Sequence, residues 1–361
     1  MKKLVALLML VIMGISSICM ACADTAIEVN TNLKVKKPAS TANNPVIEGE
    51  DPFTGLPASD EPFTPILLVL DNSETMYPHY GTSYADIIIQ VPNQNMGNNK
   101  VLALFANEYP EMAGPCRSSR MVSLPAANLF NACFVAWGEP PFTTATEANK
   151  KVNVKYWLKQ WGFTKEKKWY DLLGHNNLKD SKKKTAYIAK IHNELIANNV
   201  EFEKRPFLFT DEPLTRGDAA STISMEFFPS SPTKKGATSN KASNCVFYYT
   251  EGVGYMRESL MKTKRDFNYD RTNDDVLVFA NVIVIRATYA FTNSYYYMTD
   301  NFVGSGQADI FQNGRYIRGS WYRDDVLGRI IIMDDEGKEL KFQRGKSYFV
   351  INSDYLSVSY K

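Results

Sequence analysis

Four short stretches constrain this chain more than any other feature: "PILLVLDN" (65–72), "ADIIIQV" (85–91), "KVLALFA" (100–106) and "ACFVAW" (132–137). Each is a continuous apolar run bounded by Gly, Pro or Asn. A strand with one wet face alternates apolar and polar residues, whereas consecutive apolar residues need cover on both faces. The runs predict a sheet buried between two layers. The intervening segments supply candidate layers. "SRMVSLPAANLF" (119–130) and "TATEANKKVNVKYWLKQW" (144–161) read as helices. "KKTAYIAKIHNELIANN" (183–199) sets Tyr187, Ile188, Ile191 and Leu195 on one helical face. Residues 51–225 are therefore expected to form an α/β domain, a mixed sheet with helices on both faces.

The pattern changes after that. "PSSPTKKGATSNKASN" (229–244) is a loop poor in apolar residues. "QADIFQNGRYIRGSWY" (307–322) alternates on either side of Asn313-Gly314, the dipeptide that best fits a two-residue hairpin turn. "RIIIMDDEGKELKF" (329–342) offers a second hairpin, and "KSYFVI" (346–351) a closing strand. Residues 226–361 are expected to form a β-rich C-terminal domain, and 361 residues suffice for two domains. Tyr295, Tyr296 and Tyr297 read as an edge strand with alternately buried rings, or as a contact surface for glycan or protein.

The first 23 residues read as an export signal: basic Lys2 and Lys3, then a charge-free apolar run from Leu4 to Ile18, too short for the roughly 17–25 residues of a membrane span. Two processing outcomes are open. Ala21-Cys22-Ala23 before Asp24 suits an ordinary signal peptidase, whereas Met20-Ala21-Cys22 is like a lipobox that would lipidate Cys22. Residues 24–50 are polar and aperiodic, and read as a flexible tether.

Composition narrows the function. The formal charge is +2, so removing Lys2 and Lys3 leaves a mature chain with no net charge, without the surplus cations of a nucleic-acid-binding surface. Beyond the leader only Cys116, Cys133 and Cys245 remain, and His79, His175 and His192 are scattered. No metal-ligand spacing and no cofactor motif is present.

Several stretches together resemble the YerB-type bacterial envelope lipoproteins, built from a conserved domain of unknown function and a separate C-terminal domain. In order they are "DPFTGLP" (51–57), "LDN" (70–72), "GTSYADIII" (81–89), "LALF" (102–105), "GPCRSSR" (114–120), "VFYYTEGVGYMR" (246–257), "VGSGQADIFQNGRYIRGSW" (303–321) and "DDEGKELKFQRGKSYFVI" (334–351). The resemblance implies the two-part fold, an envelope location and a lipid at Cys22. It also marks Arg257 and Asp266 as positions shared with the family. The chain departs from the family's pattern at Gln90, where a glutamate is usual, and at "WGEP" (137–140), where relatives carry Gly-Gly-Ser. Cys116 stands where relatives carry an aliphatic residue, which implies a buried packing role.

The candidate site centres on "GPCRSSR". Read as a helix entrance, it places Arg117 and Arg120 three residues apart on one face, with Ser118 or Ser119 capping backbone N–H groups. Two guanidiniums there make an anion clamp, or else pair with Asp71 and Asp86 at neighbouring strand ends. Asp71 and Asn72 follow the first core strand, at the carboxyl end where α/β sheets gather ligand residues. Asp71 and Asp86 could serve as acid and base in glycan cleavage; turn capping is the plainer role. The order Asp71, Ala85-Asp86, Pro115-x-Arg117 is similar, by residue type alone, to the LytR-CpsA-Psr wall-polymer transferases, in which arginines hold a lipid-linked pyrophosphate. The sequence points to a non-catalytic envelope protein that binds a protein or wall polymer. An enzyme acting on an anionic envelope substrate through the Arg/Asp cluster is the alternative, and a purely structural scaffold a third class.

Overall fold

A computed structural model describes residues 24–39, 41, 44–94, 98–140, 142–163, 170–171, 175–177, 184–228, 243–261, 265–293, 295–298 and 301–361. The leader, Cys22 included, lies outside the described residues.

The apolar runs form the centre of a 13-stranded sheet. Its principal strands are β1 (Ile66–Leu70), β2 (Ile87–Gln94), β3 (Asn98–Phe105), β4 (Cys133–Val135), β5 (Asn281–Arg286), β6 (Tyr289–Thr292), β7 (Tyr295–Met298), β8 (Gly304–Gln312), β9 (Arg315–Arg323) and β10 (Ser347–Asn352). Across the sheet the order is β9-β8-β5-β10-β2-β3-β1-β4, with β7 beside the end of β2 and paired to β6. Strand β10 runs parallel to both neighbours, pairing Val284 with Val350 on one side and Ile89 with Phe349 on the other. A strand from the far end of the sequence thus sits between one from each half, and the sheet continues across the boundary near residue 225. Strands β5 and β10 are buried at every residue, as central parallel strands without a wet face must be.

Alternation divides the core in two. Leu67, Val69, Ile87, Ile89, Leu102 and Leu104 face one cluster, completed by helix α1 (Leu124–Leu129) and by Phe53, Phe207 and Phe349. Ile66, Leu68, Ile88, Val101, Ala103 and Phe105 face the other. There they meet Ile223, Met225, Phe247 and Val358 of a second, antiparallel sheet ordered Thr25–Ala26, Leu356–Tyr360, Thr222–Phe227, Cys245–Thr250, Gly254–Leu260, Arg265–Phe267. Each such buried aliphatic side chain stabilises the fold by roughly 1.5–3 kcal/mol.

The body is mostly β, and its helices are shorter than the periodicity predicted. The segment 144–161 splits into α2 (Glu147–Val152) and α3 (Val154–Gln160), because Asn153 leaves helical geometry and its side chain accepts the Tyr156 N–H. Helix α1 begins only at Leu124, since the chain before it is held in other contacts. Helix α4 (Ile188–Ala197) buries Ile188, Ile191, His192 and Leu195, close to the face expected. Among the described residues no helix is long and apolar enough to cross a membrane.

The hairpin about Asn313-Gly314 forms as read, both residues at positive φ (50° and 69°). In the stretch 329–342 the hairpin closes through Asp334 N–H to Lys338 O and Leu340 N–H to Ile332 O (2.9 and 2.8 Å), with Met333 opposite Glu339, and its arms part beyond that. Ile331–Met333 pairs with β9, and Lys341–Gln343 leaves to lie parallel to Leu208–Thr210. The segment expected as a flexible tether is also laid down. Thr25–Ala26 pairs with Leu356–Tyr360, while the Asn30 and Val35 N–H groups donate to Gln307 and Ser305 of β8 (2.8 and 3.0 Å). An open sheet edge captured a polar strand whose sequence carries no strand signal.

Candidate anion site

The stretch 114–120 is extended, which corrects the helix entrance read from the sequence. Backbone bridges tie Gly114 to Tyr80 and Cys116 to Leu70, and the Cys116 N–H donates to Lys184 O (2.6 Å). Ser119 caps nothing: both its N–H and its hydroxyl donate to Gly138 O (2.8 and 3.0 Å), fastening the segment to the loop after β4. Ser118 is half-buried beside Gly138. Helix α1 has no side-chain cap. Backbone pairing therefore places Arg117, and the Ser119 bonds to Gly138 lead the chain on to Arg120.

Arg117 lies alongside β1, its N–H donating to Val69 O (2.8 Å), and its Nε stands 3.5 Å from Oδ2 of Asp71. Asp71 is 11% exposed at the side chain and Arg117 58%, so the pair sits at the rim of the sheet. Arg120 turns the other way. Its guanidinium lies over the Tyr295 ring of β7, 4.7 Å from the centroid, with Nη1 donating to Ser119 O (2.6 Å) and Nε buried without a partner.

The register supplies a third cation. Leu70 pairs with Val101, so Asp71, one residue on, stands beside Lys100 at the start of β3. Lys100 is 5% exposed, and no hydrogen-bond acceptor or ion-pair partner reaches its ammonium among the described residues. Burial, then the Arg120 and Arg117 charges, lower its pKa to about 7, against a weaker pull upward from Asp71. Three cations and one carboxylate thus converge at the carboxyl ends of β1, β2 and β4, where the Trp137-Gly138-Glu139 loop closes the rim.

Asp86 is not part of this site. It precedes β2 at the opposite end of the sheet, its carboxylate accepting the Ala106 and Asn107 N–H groups (2.7 and 3.2 Å). Asp71 and Asp86 flank β3 about five residues apart, roughly 16 Å at 3.3 Å per residue, and so cannot act together on one glycosidic bond. Burial and the nearby Asp51 push the Asp86 carboxyl up to about 8. Asn72 accepts a hydrogen bond from the Tyr77 hydroxyl (2.6 Å), and His79 Nε2 bonds Asp71 O (2.8 Å). Burial lowers His79 to about 4, so at neutral pH it is an uncharged brace for the Asp71 turn.

Arg257 belongs to a separate group across the sheet. Val91 and Gln90 are adjacent on β2 and face opposite cores; Val91 pairs with Lys100, while Gln90 Oε1 accepts from Arg257 Nη2 (3.4 Å) and from Tyr348 Oη (2.7 Å). Arg257 Nη1 donates to Ser259 Oγ and Asn268 Oδ1 (2.7 and 3.1 Å), and among the described residues no carboxylate pairs with it. Asp266 lies opposite Ser259 on the next strand and lines a small cleft with Tyr77 and Asn268. The sequence reading also passed over Asp270, fully buried, whose carboxylate accepts the Gly81 and Ser83 N–H groups and the Ser83 hydroxyl (2.9, 2.8 and 2.7 Å). It shapes the turn before β2 from the C-terminal half.

Residues 53–190 match the family model described as the N-terminal domain of a protein of unknown function (DUF3048), and residues 238–349 match its C-terminal domain. The chain belongs to the DUF3048 family. A relative from Bacillus subtilis (strain 168), named "Putative lipoprotein YerB", is 23% identical over 311 residues, covering 84% of this chain and 86% of the relative. The crystal structure of the YerB protein from Bacillus subtilis matches with a TM-score of 0.63 at 22% identity, over 86% of this chain and 99% of that one. That likeness establishes the DUF3048 fold for this chain.

Proposed function

We propose that this DUF3048 protein is an extracytoplasmic, lipid-anchored binding protein whose ligand presents an anionic group, such as a phosphate, to Lys100, Arg117 and Arg120. The observation that carries this reading is the gathering of Lys100, only 5% exposed, with Arg117 and Arg120 at one rim of the sheet. A cation withdrawn from water costs several kcal/mol unless it is fully compensated, and here one carboxylate, Asp71, already engaged by Arg117, is set against three cations. A bound anion would compensate all three, and two guanidinium forks match phosphate geometry. Binding fits better than catalysis, because Asp71 already holds Arg117 and Asp86 lies at the far end of the sheet. The lipid anchor rests on the leader and on the name of the relative.

Calorimetric titration with inorganic pyrophosphate tests the reading. Binding that weakens with added salt, and is lost in both Lys100→Met and Arg120→Ala, is expected. At pyrophosphate concentrations 100 times Kd the native state should gain about 2.7 kcal/mol against unfolding. Wild-type protein that takes up no pyrophosphate, phosphate or carboxylate anion would overturn it.

A further inference from the structure

The cation cluster does not end at Arg120. The Tyr295 ring beneath that guanidinium is the first residue of β7, and Tyr297 lies two residues on, on the same side of the strand and about 6.7 Å away along it. Both rings are half-buried. Phe142 meets Tyr295 edge to face, with centroids 5.8 Å apart. Lys151 of α2 holds its ammonium 5.7 Å from the Tyr297 centroid. A hydrogen bond, Asn293 Nδ2 to Asn149 Oδ1 (2.7 Å), joins the β6–β7 turn to α2 and holds strand and helix side by side. The result is a strip of partly open aromatic edges and phenols, with cations at one end and an ammonium beyond.

We infer that the anion site is the charged end of a longer binding surface, and that its ligand is a phosphorylated glycan, with the phosphate on Lys100, Arg117 and Arg120 and the adjoining sugar along Tyr295 and Tyr297. This inference rests on the anion-binding reading above. Phenols and an ammonium beside ring carbons suit a sugar, whose C–H and O–H groups alternate around its ring. A nucleobase requires an open aromatic face for stacking, and the guanidinium already covers one face of Tyr295.

The test compares inorganic phosphate, glucose 1-phosphate, N-acetylglucosamine 1-phosphate, the two unphosphorylated sugars and an oligothymidylate, each titrated into the protein. At least one sugar phosphate is expected to bind about tenfold or more tightly than inorganic phosphate, and the free sugars too weakly to detect. Tyr297→Ala should return that sugar phosphate to the affinity of inorganic phosphate while leaving inorganic phosphate unchanged. Tyr297→Phe, which keeps the ring and its packing, should retain part of the gain. If inorganic phosphate binds and neither sugar phosphate binds more tightly, the glycan inference falls and the anion-binding reading stands. If no phosphate compound binds, both fall. An oligothymidylate that binds more tightly than either sugar phosphate would overturn the glycan in favour of a nucleic acid.

Discussion

Lys100→Met separates a binding residue from a structural one, because the two roles predict opposite signs for stability. Met keeps the length of the aliphatic stem and removes the charge. In the wild type, burial and the two arginines lower the Lys100 pKa from 10.5 to about 7. The unfolded chain therefore holds this proton more tightly than the native one. Below pH 7 both states are charged and the native state bears the full penalty, roughly 5 kcal/mol at 1.36 kcal/mol per pH unit. Between pH 7 and 10.5 the native lysine is neutral while the unfolded one remains charged, so the penalty fades, and above that range it is gone. Local relaxation and entering water reduce the measurable effect to roughly 2–4 kcal/mol. Urea unfolding at pH 6 should show Lys100→Met more stable than wild type by that amount with an unchanged m-value, and the gap should close towards pH 10. The same variant should lose pyrophosphate binding. A residue that destabilises its own fold and is needed for a ligand is kept for the ligand. Wild type more stable than Lys100→Met by over about 1 kcal/mol at pH 6 would refute the argument, because the ammonium would then be satisfied within the protein.

Four other outcomes can be checked. Asp86 has the reverse linkage: its carboxyl is raised to about 8, so between pH 4 and 8 the native state holds a proton that the unfolded chain has released, and stability falls as pH rises. Asp86→Asn should flatten that slope and stabilise the protein at pH 8, as read from urea midpoints at pH 5 and 8. A chain beginning at Lys36 loses the bonds of Ile27, Asn30 and Val35, and should be roughly 2–4 kcal/mol less stable and prone to associate through the bared Leu356–Tyr360 edge; an unchanged melt and elution volume would restore the tether. Mass spectrometry of the mature N-terminus is expected to show diacylglyceryl on Cys22, two acyl chains being enough for stable anchoring, whereas a bare Asp24 terminus would show ordinary secretion. Cys116→Val should cost less than about 1.5 kcal/mol and leave pyrophosphate binding intact, because the side chain packs among Leu70, Ala113 and Ala186.

The sheet was legible in the sequence because burial on both faces leaves a one-dimensional mark, and the four apolar runs became β1 to β4. The turn at Asn313-Gly314 was legible because its two positive φ angles favour those residues. Contacts set from afar left no such mark. "GPCRSSR" has the composition of a helix start, yet bridges to Leu70 and Tyr80 hold it extended, and its first serine-rich turn goes to Gly138. The pairing of Arg117 with Asp71 followed from both residues lying near strand ends, whereas the same reasoning failed for Asp86, because strand direction decides which end of the sheet a residue occupies. Lys100 escaped notice as an ordinary first residue of an apolar strand. It becomes conspicuous only when the register sets it beside Asp71 and between two arginines.

The same register separates two buried cations, of which the proposed site includes only one. Gln90 and Val91 are neighbours in sequence, and through them β2 touches Arg257 on one face and Lys100 on the other. Neutral oxygens of Gln90, Ser259 and Asn268 accept from the two Nη atoms of Arg257, although its Nε is buried without a partner. Lys100 is offered no hydrogen bond among the described residues, and the two arginines repel it more than Asp71 attracts it. Burial alone would have flagged both residues equally. What distinguishes them is how many acceptors the protein supplies, and in the proposed reading a ligand supplies those that Lys100 lacks.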